Sequence, residues 1–487
     1  MFGDYVFEKT AGQYKKKICL IDYDNLEAKA RYSSVFQAHG FHVVHYIDDL
    51  TFRVNYSVLL DSNEQKMVII AASDCYIPYD VLGKCYVCKL SYKYLFPNLN
   101  DMVLREQAGL NIELLTLAYQ HNFENHTDRK DTETFLRLKM YSREIIECYL
   151  RQQYQEIISL ISSNVSYRTW LCVAELKANI DLMATKYGIP FDTSEINRLF
   201  CSYAMVDFGK LSSEINPDTP VLVSSVMEFI RDRSDKFVLV VMDGMSEFDW
   251  GILKQSFGDI SYNQTAVFAM IPSTTSVSRQ CLLSGKYPLQ LMNPWKQNKE
   301  KAEFTECARK LGFKDSQIGY ARGYDAEFSS FVKCGAVIIL DIDDLVHAQY
   351  QGRLGMLNDD TVLMEQNKLR GTVKRFLKQG YDVYISADHG NTQSIGLGRL
   401  MGTGLEMETK SHKMVVLKDF ADKESLIERY GLMKYPKYYL PKEYDYLICK
   451  VGESLDIKGE EVMTHGGISL DEVVVPFISI RAEDYNG

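Results

Sequence analysis

Aspartate and histidine residues occur close together in two segments of the second half of the chain, with spacings that suit metal binding. Asp343 and His347 are four residues apart, so on a helix both side chains would lie on one face and could reach one ion. Asp388 and His389 directly follow an apolar run, where a sharp turn could direct both at one ion. The first pair also has an ordinary explanation, as an acid–histidine pair on a helix without a metal.

Two further residues complete this set of candidate ligands. Asp243 ends the apolar segment FVLVVMDG, where a carboxylate either binds a metal or caps the next helix. His465 lies beside two glycines before the last apolar segment. Three acids and three histidines can form two sites of three ligands each, and mixed nitrogen and oxygen ligands suit Zn²⁺ or Mn²⁺ better than Mg²⁺ or Ca²⁺. The sequence therefore predicts two divalent ions, with Zn²⁺ favoured and Mn²⁺ the alternative.

Four contiguous hydroxyl residues occupy a predicted strand-to-helix turn within MIPSTTSVSRQCLLSG. The amino end of a helix presents free N–H groups and a positive dipole end, which suit a bound phosphate. A hydroxyl on that first turn could attack phosphorus if a metal lowers its pKa. Helix capping by serine or threonine is the ordinary alternative. The candidates are Ser273, Thr274, Thr275 and Ser276.

Four apolar segments of the last 255 residues have the length and composition of buried strands. The first three end in acids or histidines, and ligands bind at the carboxyl ends of strands in open parallel sheets. They predict an α/β catalytic domain with a mostly parallel sheet over residues 231–487. The segments are 237–244, 336–343, 381–390 and 472–480.

The first half of the chain contains no comparable set of candidate ligands. Three apolar runs separated by segments with helical spacing predict a small α/β domain over residues 1–125, and a helical region follows over 126–230. A phosphorelay receiver is an alternative for the first domain, with Asp22, Asp24 and Asp74 as its acids, but the lysine that it needs cannot be placed. The predicted strands are 15–22, 41–48 and 66–73.

Charge and cysteine content restrict the function classes further. The net charge of −10 argues against electrostatic binding of duplex DNA over a wide surface. Binding in a local basic groove is still compatible with this charge. No signal-peptide run and no apolar stretch of about 18 residues is present, so we expect a cytoplasmic protein without a membrane partner. The 11 scattered cysteines fit reduced thiols. Cys85 and Cys88 lack the second pair of a zinc knuckle, and we expect two half-buried thiols on a strand.

The order of these motifs resembles the alkaline-phosphatase superfamily and, within it, the PglZ family of bacterial phage-defence (BREX) systems and some signalling proteins. The resemblance is firm over about 237–480 and loose over 1–236. It rests on VMDGMS, IPSTTSVSRQCLLSG, DIDDLVH, SADHG and HGGISLDEVVVP. ADHGN is also similar to the cofactor-independent phosphoglycerate mutases, which carry a different serine motif. SVSRQC lacks the proline of the sulfatase motif.

The resemblance assigns roles to individual residues. One metal would be held by Asp343, His347 and His465, and the other by Asp243, Asp388 and His389. The nucleophile of the related phosphodiesterase pattern lies three residues after the proline and ten before the glycine, which selects Thr275, with Thr274 as the alternative. Arg279 lies one helical turn later, where it would contact substrate or fix the turn.

The implied activity is two-metal phosphoester hydrolysis through a phospho-threonine intermediate. A phosphodiesterase acting on nucleotides or oligonucleotides is favoured, in a defence or signalling setting with other defence proteins as partners. A phosphomonoesterase and a catalytically silent scaffold are the alternatives. His412 would assist with substrate or lie on the surface, and residues 396–404 would form a mobile rim or plain connecting chain. The sequence does not predict the oligomeric state.

Overall fold

The chain folds into two compact units, Met1–Arg151 and Gln152–Gly487. A computed structural model describes residues 1–107, 109–122, 124–163, 165–400, 412–418 and 423–485. The helical region predicted at 126–230 is divided between the two units. The predicted three-part organisation, with boundaries near residues 125 and 230, therefore stays a prediction.

The first unit is built around a four-stranded parallel sheet with the order β2–β3–β1–β4. Its strands are β1 (Lys17–Asp22), β2 (Phe41–His45), β3 (Lys66–Ala72) and β4 (Tyr86–Leu90). Its core consists of two apolar clusters. One includes Leu20 and Phe36, and the other includes Phe52 and Ile69. This parallel sheet with surrounding helices confirms the predicted α/β class.

Short helices connect the strands of the first unit and extend beyond them. They are α1 (Phe2–Lys9), α2 (Leu26–Ala30), α3 (Ser33–Ala38), α4 (Asp49–Asp61), α5 (Tyr79–Leu82), α6 (Tyr92–Leu95), α7 (Asp101–Glu106), α8 (Ile112–His121), α9 (Arg129–Phe135) and a π-helical turn (Leu136–Met140). Cys88 is buried on β4 and the half-buried Cys85 directly precedes that strand.

The receiver alternative is not supported by this unit. A receiver has the strand order 2-1-3-4-5, whereas β3 lies between β1 and β2 here. The Asp22 carboxylate accepts hydrogen bonds from the backbone N–H groups of Leu26 and Glu27 at 3.0 and 2.9 Å. Asp24 forms an ion pair with Arg105 at 2.7 Å. Both acids are thus engaged in structural contacts.

The second unit contains a six-stranded mixed sheet with the order β6–β16–β9–β5–β8–β7. Strands β9, β5, β8 and β7 are parallel, and β16 is antiparallel to both of its neighbours. The bounds are β5 (Phe237–Met242), β6 (Asn263–Phe268), β7 (Ile318–Arg322), β8 (Cys334–Ile339), β9 (Asp382–Ser386) and β16 (Val474–Ile480). The four segments predicted as strands therefore form this sheet, with β6 and β7 added at its edges.

Two three-stranded sheets accompany the large one, with the orders β14–β10–β15 and β11–β13–β12. Their strands are β10 (Thr392–Gly396), β11 (Met414–Leu417), β12 (Met433–Lys434), β13 (Asp445–Ile448), β14 (Glu453–Ser454) and β15 (Glu461–Thr464). Strand β10 starts only three residues after His389, and β15 ends directly before His465. One of these small sheets therefore carries both segments.

Helices surround the sheets of the second unit. The first of the series, α10 (Arg143–Ser163), contains the boundary between the two units. The others are α11 (Tyr167–Lys186), α12 (Ser194–Asp207), α13 (Val226–Arg231), α14 (Glu247–Leu253), α15 (Thr275–Ser284), α16 (Glu300–Lys310), α17 (Asp341–Ala348), α18 (Gly352–Gln366), α19 (Lys368–Lys378), α20 (Lys423–Tyr430) and α21 (Leu470–Val473). Short 3₁₀ turns lie at Phe208–Ser213, Val223–Ser225, Lys254–Phe257, Pro288–Gln290 and Asp315–Gln317. Among the described residues, we find no helix that is both long and apolar enough to cross a membrane.

The register of the large sheet brings the segments that carry the predicted ligands to one end of the strands. Met242 of β5 pairs with Ile339 of β8, and Val241 pairs with Ser386 of β9, so the carboxyl ends of these three buried strands are level. Gly244 turns the chain after β5 with a φ of +76°, which favours glycine. A Cβ atom at Gly244 would lie 3.3 Å from the Cα atom of Asp343. The turn after β5 and the start of α17 are therefore in close contact.

Candidate metal centre

The first group of predicted ligands comes from α17 and from the loop after β15. Asp343 and His347 share one face of α17, and the Nε2 atom of His347 lies 3.5 Å from Asp343 Oδ1. The Nε2 atom of His465 lies 3.3 Å from the same oxygen and 3.3 Å from His347 Nε2. Each residue offers a ligand atom within 4.8 Å of the others. The structure thus brings all three together.

The second group comes from the turns after β5 and β9. The Nε2 atom of His389 lies 3.6 Å from Asp243 Oδ1 and 3.7 Å from Asp388 Oδ2. All three residues are buried, whereas His347 in the first group is partly exposed. Because these residues end two neighbouring strands of the sheet, the fold itself holds them together.

Three carboxylate oxygens in these groups have no hydrogen-bond donor, although they are buried. They are Asp243 Oδ1, Asp388 Oδ2 and Asp343 Oδ1. A buried carboxylate oxygen without a donor is costly, so natural proteins rarely leave one without a partner or an ion. Each oxygen points towards the histidine Nε2 atoms of its own group. The residues present therefore fit the requirements of bound cations.

Backbone carbonyl groups orient two of the histidines. The Nδ1 atom of His389 lies 3.0 Å from the carbonyl oxygen of Gly390, and the Nδ1 atom of His465 lies 3.0 Å from that of Ser273. Because a carbonyl oxygen can only accept, Nδ1 donates in both cases. In the neutral ring the lone pair is then on Nε2, which faces the acids. This is the usual arrangement of a metal-binding histidine.

Burial and mutual charge shift the pKa values of this centre. Burial and the nearby Asp388 carboxylate raise the pKa of Asp243 well above its usual range. Burial and the His465 ring lower the pKa of His389 to about 4. Burial also acts to lower the pKa of His465, but the Asp343 carboxylate outweighs it and raises that pKa to about 9. His389 therefore supplies little positive charge to offset the carboxylates of Asp243 and Asp388.

Thr275 is the first residue of α15 and lies beside the second group. Its Oγ1 atom is 3.0 Å from His389 Nε2. The Ser273 hydroxyl is instead fully buried and donates to the carbonyl of Gly467, and the Thr274 hydroxyl lies 3.4 Å from that of Ser276. Among these four hydroxyl residues, Thr275 is the one whose side chain contacts a predicted ligand. Its role as nucleophile stays a prediction.

Arg279 is buried and points at the acids of the centre. Its guanidinium forms ion pairs with Asp243 and, at 2.7 Å, with Glu300. The carboxylates of Asp243, Asp388 and Glu300 outweigh the effect of burial and raise the pKa of Arg279. Of the two roles expected from the sequence, these contacts favour fixing the local structure over contacting substrate. The catalytic role expected for Arg279 stays a prediction.

Some residues at the centre were not anticipated. Glu300 lies in a polar stretch without a motif, and it is the tertiary fold that places it against Arg279. Glu472 belongs to the HGGISLDE segment, so a signal was present, but it had no assigned role. His412 is half exposed, with Nδ1 2.9 Å from Asp456 Oδ1, which agrees with a surface position. The part of segment 396–404 from residue 401 onwards lies outside the described residues.

Comparisons with known proteins show a family similarity in part of the chain. Residues 333–480 match the model of the BREX system PglZ alkaline phosphatase-like domain. Murine ectonucleotide pyrophosphatase/phosphodiesterase 5 has 12% identity and a TM-score of 0.36, covering 50% of this chain and 88% of that chain. Phosphonoacetate hydrolase from Sinorhizobium meliloti 1021 has 12% identity and a TM-score of 0.32, covering 51% and 90%.

These two solved structures are too distant to support an argument about chemistry, and no curated protein matches the chain. The family match includes five of the six predicted ligands, because only Asp243 lies before residue 333. Residues 333–480 are thus similar to the PglZ alkaline phosphatase-like domain, which confirms the resemblance predicted from the motifs.

Proposed function

We propose that this protein is a metal-dependent phosphoesterase with Thr275 as its nucleophile. The observation that carries the proposal is the position of Thr275 Oγ1, 3.0 Å from Nε2 of His389, whose ring stacks on His465 of the other ligand group. A reactive hydroxyl beside two such groups is the arrangement expected for phosphoryl transfer to a side chain. The alkaline phosphatase-like character of residues 333–480 supports the same reaction class.

The two groups would each hold one divalent ion. Their mixed imidazole and carboxylate donors favour Zn²⁺, with Mn²⁺ as the alternative. When bound, the ions would supply positive charge that lowers the pKa of the attacking hydroxyl and stabilises the phosphoryl oxygens. The ligands are Asp343, His347 and His465 for one ion, and Asp243, Asp388 and His389 for the other.

The start of α15 is suited to a phosphate group. Thr275 is its first residue, and no side chain caps the helix at Thr274. The first turn of a helix leaves backbone N–H groups without partners inside the helix, and its dipole favours negative charge. The phosphoryl oxygens would therefore be oriented by the same turn that carries the nucleophile.

The reaction has two displacement steps. In the first, the Thr275 hydroxyl gives its proton to solvent, Oγ1 bonds to phosphorus, and the bond from phosphorus to the leaving alkoxide oxygen breaks. The alkoxide then takes up a proton from solvent and leaves as the alcohol. In the second, water attacks the phospho-threonine ester, the Thr275 Oγ1–phosphorus bond breaks, and the hydroxyl is restored. The Thr275 Oγ1 atom lies 3.0 Å from His389 Nε2, so the attacking oxygen is beside the ligand group of His389.

We infer that the substrate is a phosphodiester, such as a nucleotide or oligonucleotide. The Arg279 guanidinium is paired with the carboxylates of Asp243 and Glu300. It is therefore not positioned to neutralise the second negative charge that a phosphomonoester carries and a diester lacks. The family-model description refers to BREX defence systems. We therefore also propose that the protein acts in defence or signalling, with defence proteins as its partners.

Hydrolysis of model esters tests the proposal directly. Bis-p-nitrophenyl phosphate and p-nitrophenyl phosphate would be compared with added Zn²⁺ or Mn²⁺. We expect faster turnover of the diester, loss of activity in Thr275→Ala, and retained activity in the matched control Thr274→Ala. Faster monoester turnover would reject the diesterase assignment. A wild-type protein without activity under any metal would favour a scaffold.

A further inference from the structure

We propose that Glu472 is the positioning residue for His465, and that its buried carboxylate fixes the loop that carries this ligand. The inference rests on the proposed function, because it concerns how one predicted metal ligand is held. Glu472 lies on α21, seven residues after His465, and its side chain is fully buried. Neither the family match nor the predicted ligand set gives this residue a role.

Four donors converge on the Glu472 carboxylate. Its Oε1 atom accepts a hydrogen bond from the backbone N–H of Gly467 at 2.8 Å. Its Oε2 atom accepts from the backbone N–H and the hydroxyl of Ser469 at 3.2 and 2.6 Å, and from the Lys413 ammonium at 3.0 Å. Both oxygens of the Glu472 carboxylate therefore accept hydrogen bonds, and neither donates. A carboxylate can occupy both positions, whereas an amide would place an NH₂ donor in one of them.

The loop lies directly against this ion pair. A Cβ atom at Gly467 would lie 2.8 Å from Lys413 Cε and 3.0 Å from Glu472 Oε2, so glycine permits the close approach. Lys413 and Glu472 are both almost completely buried. A buried ion pair in contact with the backbone leaves the loop little freedom to move, which fixes the direction of the neighbouring His465 ring.

Ser273 holds the other side of the same loop. Its hydroxyl accepts a hydrogen bond from the N–H of Gly466 at 3.1 Å and donates to the carbonyl of Gly467 at 3.0 Å. Its own carbonyl accepts from His465 Nδ1 at 3.0 Å. Because Ser273 is two residues before Thr275, the loop is fixed relative to the predicted nucleophile as well.

The other ligand group depends on Glu472 in a different way. The backbone carbonyl of Glu472 accepts a hydrogen bond from the N–H of Gly390 at 2.9 Å, which holds the turn after His389. A change of the Glu472 side chain leaves that carbonyl in place. Loss of the carboxylate should therefore weaken the ion of the His465 group and spare the ion of the His389 group.

Glu472→Gln tests this selectivity in the full chain. Glutamine keeps the shape of the side chain but turns an NH₂ donor towards groups that are themselves donors. Zn²⁺ stoichiometry and affinity would be measured by competition with a chelator, with folding monitored by circular dichroism. We expect one ion to bind roughly 10–100-fold more weakly, as for other lost partners of metal ligands, and the second to bind with wild-type affinity.

Two reference variants define the scale of the effect. His465→Ala removes the ligand itself and should weaken the same ion as Glu472→Gln. Glu303→Gln changes another buried glutamate, which lies on α16, and should leave both affinities unchanged. If Glu472→Gln does not fold, Glu472→Asp takes its place, since it keeps the charge but withdraws the carboxylate from Gly467 and Ser469, and it should show the same selective loss.

The outcomes separate this inference from the proposed function. Two ions in the wild type and unchanged affinities in Glu472→Gln, or in Glu472→Asp where that variant replaces it, would overturn the inference alone. Equal weakening of both ions in the variant would also overturn it, because general damage would explain that result. Failure of the wild type to bind two ions would overturn the proposed function, and the inference with it.

Discussion

The imidazole rings of His389 and His465 are stacked, with their centroids 4.0 Å apart and their planes inclined by 11°. One ring belongs to each of the two ligand groups, and a backbone carbonyl holds the Nδ1 atom of each. The two groups therefore form one connected centre. Each ring is therefore a packing surface for the other.

Replacement of His389 should remove the ion of the second group. His389→Ala deletes the only nitrogen ligand among Asp243, Asp388 and His389. We expect the metal content of the purified protein to fall from two ions per chain to at most one, with ester hydrolysis reduced at least about 100-fold. His412→Ala, which alters a half-exposed histidine, should keep both ions. A full complement of two ions in His389→Ala would contradict the assignment.

The sequence predicted the parts of this centre that depend on local pattern. Strands β5, β8 and β9 come from mainly apolar segments, and the predicted ligands follow their carboxyl ends. Asp243 comes directly after β5, Asp388 two residues after β9, and Asp343 four residues after β8. The i and i+4 spacing of Asp343 and His347 correctly placed both on one helical face. These features need only strand or helix periodicity, which a single sequence contains.

The remaining parts depend on contacts between distant residues. The edge strands β6 and β7 are only partly buried and therefore lack a continuous apolar run. Arg279 could be placed on a helix, but its partner Glu300 is fixed by tertiary packing. Lys177 and Asp471 are 294 residues apart in the chain and form a buried ion pair. No local periodicity predicts such pairs.

Arg279 should matter most when no metal is bound. Arg279→Met leaves the buried Asp243 carboxylate without its cation, and leaves Glu300 only the Arg322 guanidinium at 3.4 Å, which should cost about 3–5 kcal/mol of unfolding free energy. Bound Zn²⁺ would compensate Asp243, so the metal should stabilise the variant more than it stabilises the wild type. Thermal unfolding with chelator and with Zn²⁺ measures this difference. An equal loss under both conditions would mean that Arg279 does not compensate the metal ligands.

The buried network around Asp471 should stabilise the second unit. Lys177 Nζ forms ion pairs with Asp181 and Asp471, both at 2.7 Å, and Arg353 pairs with the same two acids. Lys177→Met leaves one cation for two buried acids and should cost about 3–5 kcal/mol.

Chemical denaturation of the full chain would measure this loss. Lys186→Met is the matched control, because it alters an exposed lysine at the end of the same helix and should change stability by less than about 0.5 kcal/mol. Similar values for the two variants would show that the network contributes little.

Glu247 should make the protein less stable as pH rises. Burial raises the pKa of this glutamate to about 8, and its Oε1 atom has no hydrogen bond. Below the unfolded-state pKa of about 4.3, both states are protonated. Between that pH and about 8, only the unfolded chain releases the proton, so stability falls by roughly 5 kcal/mol over this window.

Glutamine cannot ionise, so Glu247→Gln should remove this pH dependence. In the presence of a chelator, the Tm of the variant relative to wild type should increase steadily from pH 5 to pH 8. Glu428→Gln, which alters an exposed glutamate of α20, should show a constant difference. Parallel Tm curves for Glu247→Gln and wild type would show that Glu247 releases its proton in the folded state at ordinary pH, and that water or a cation reaches its carboxylate.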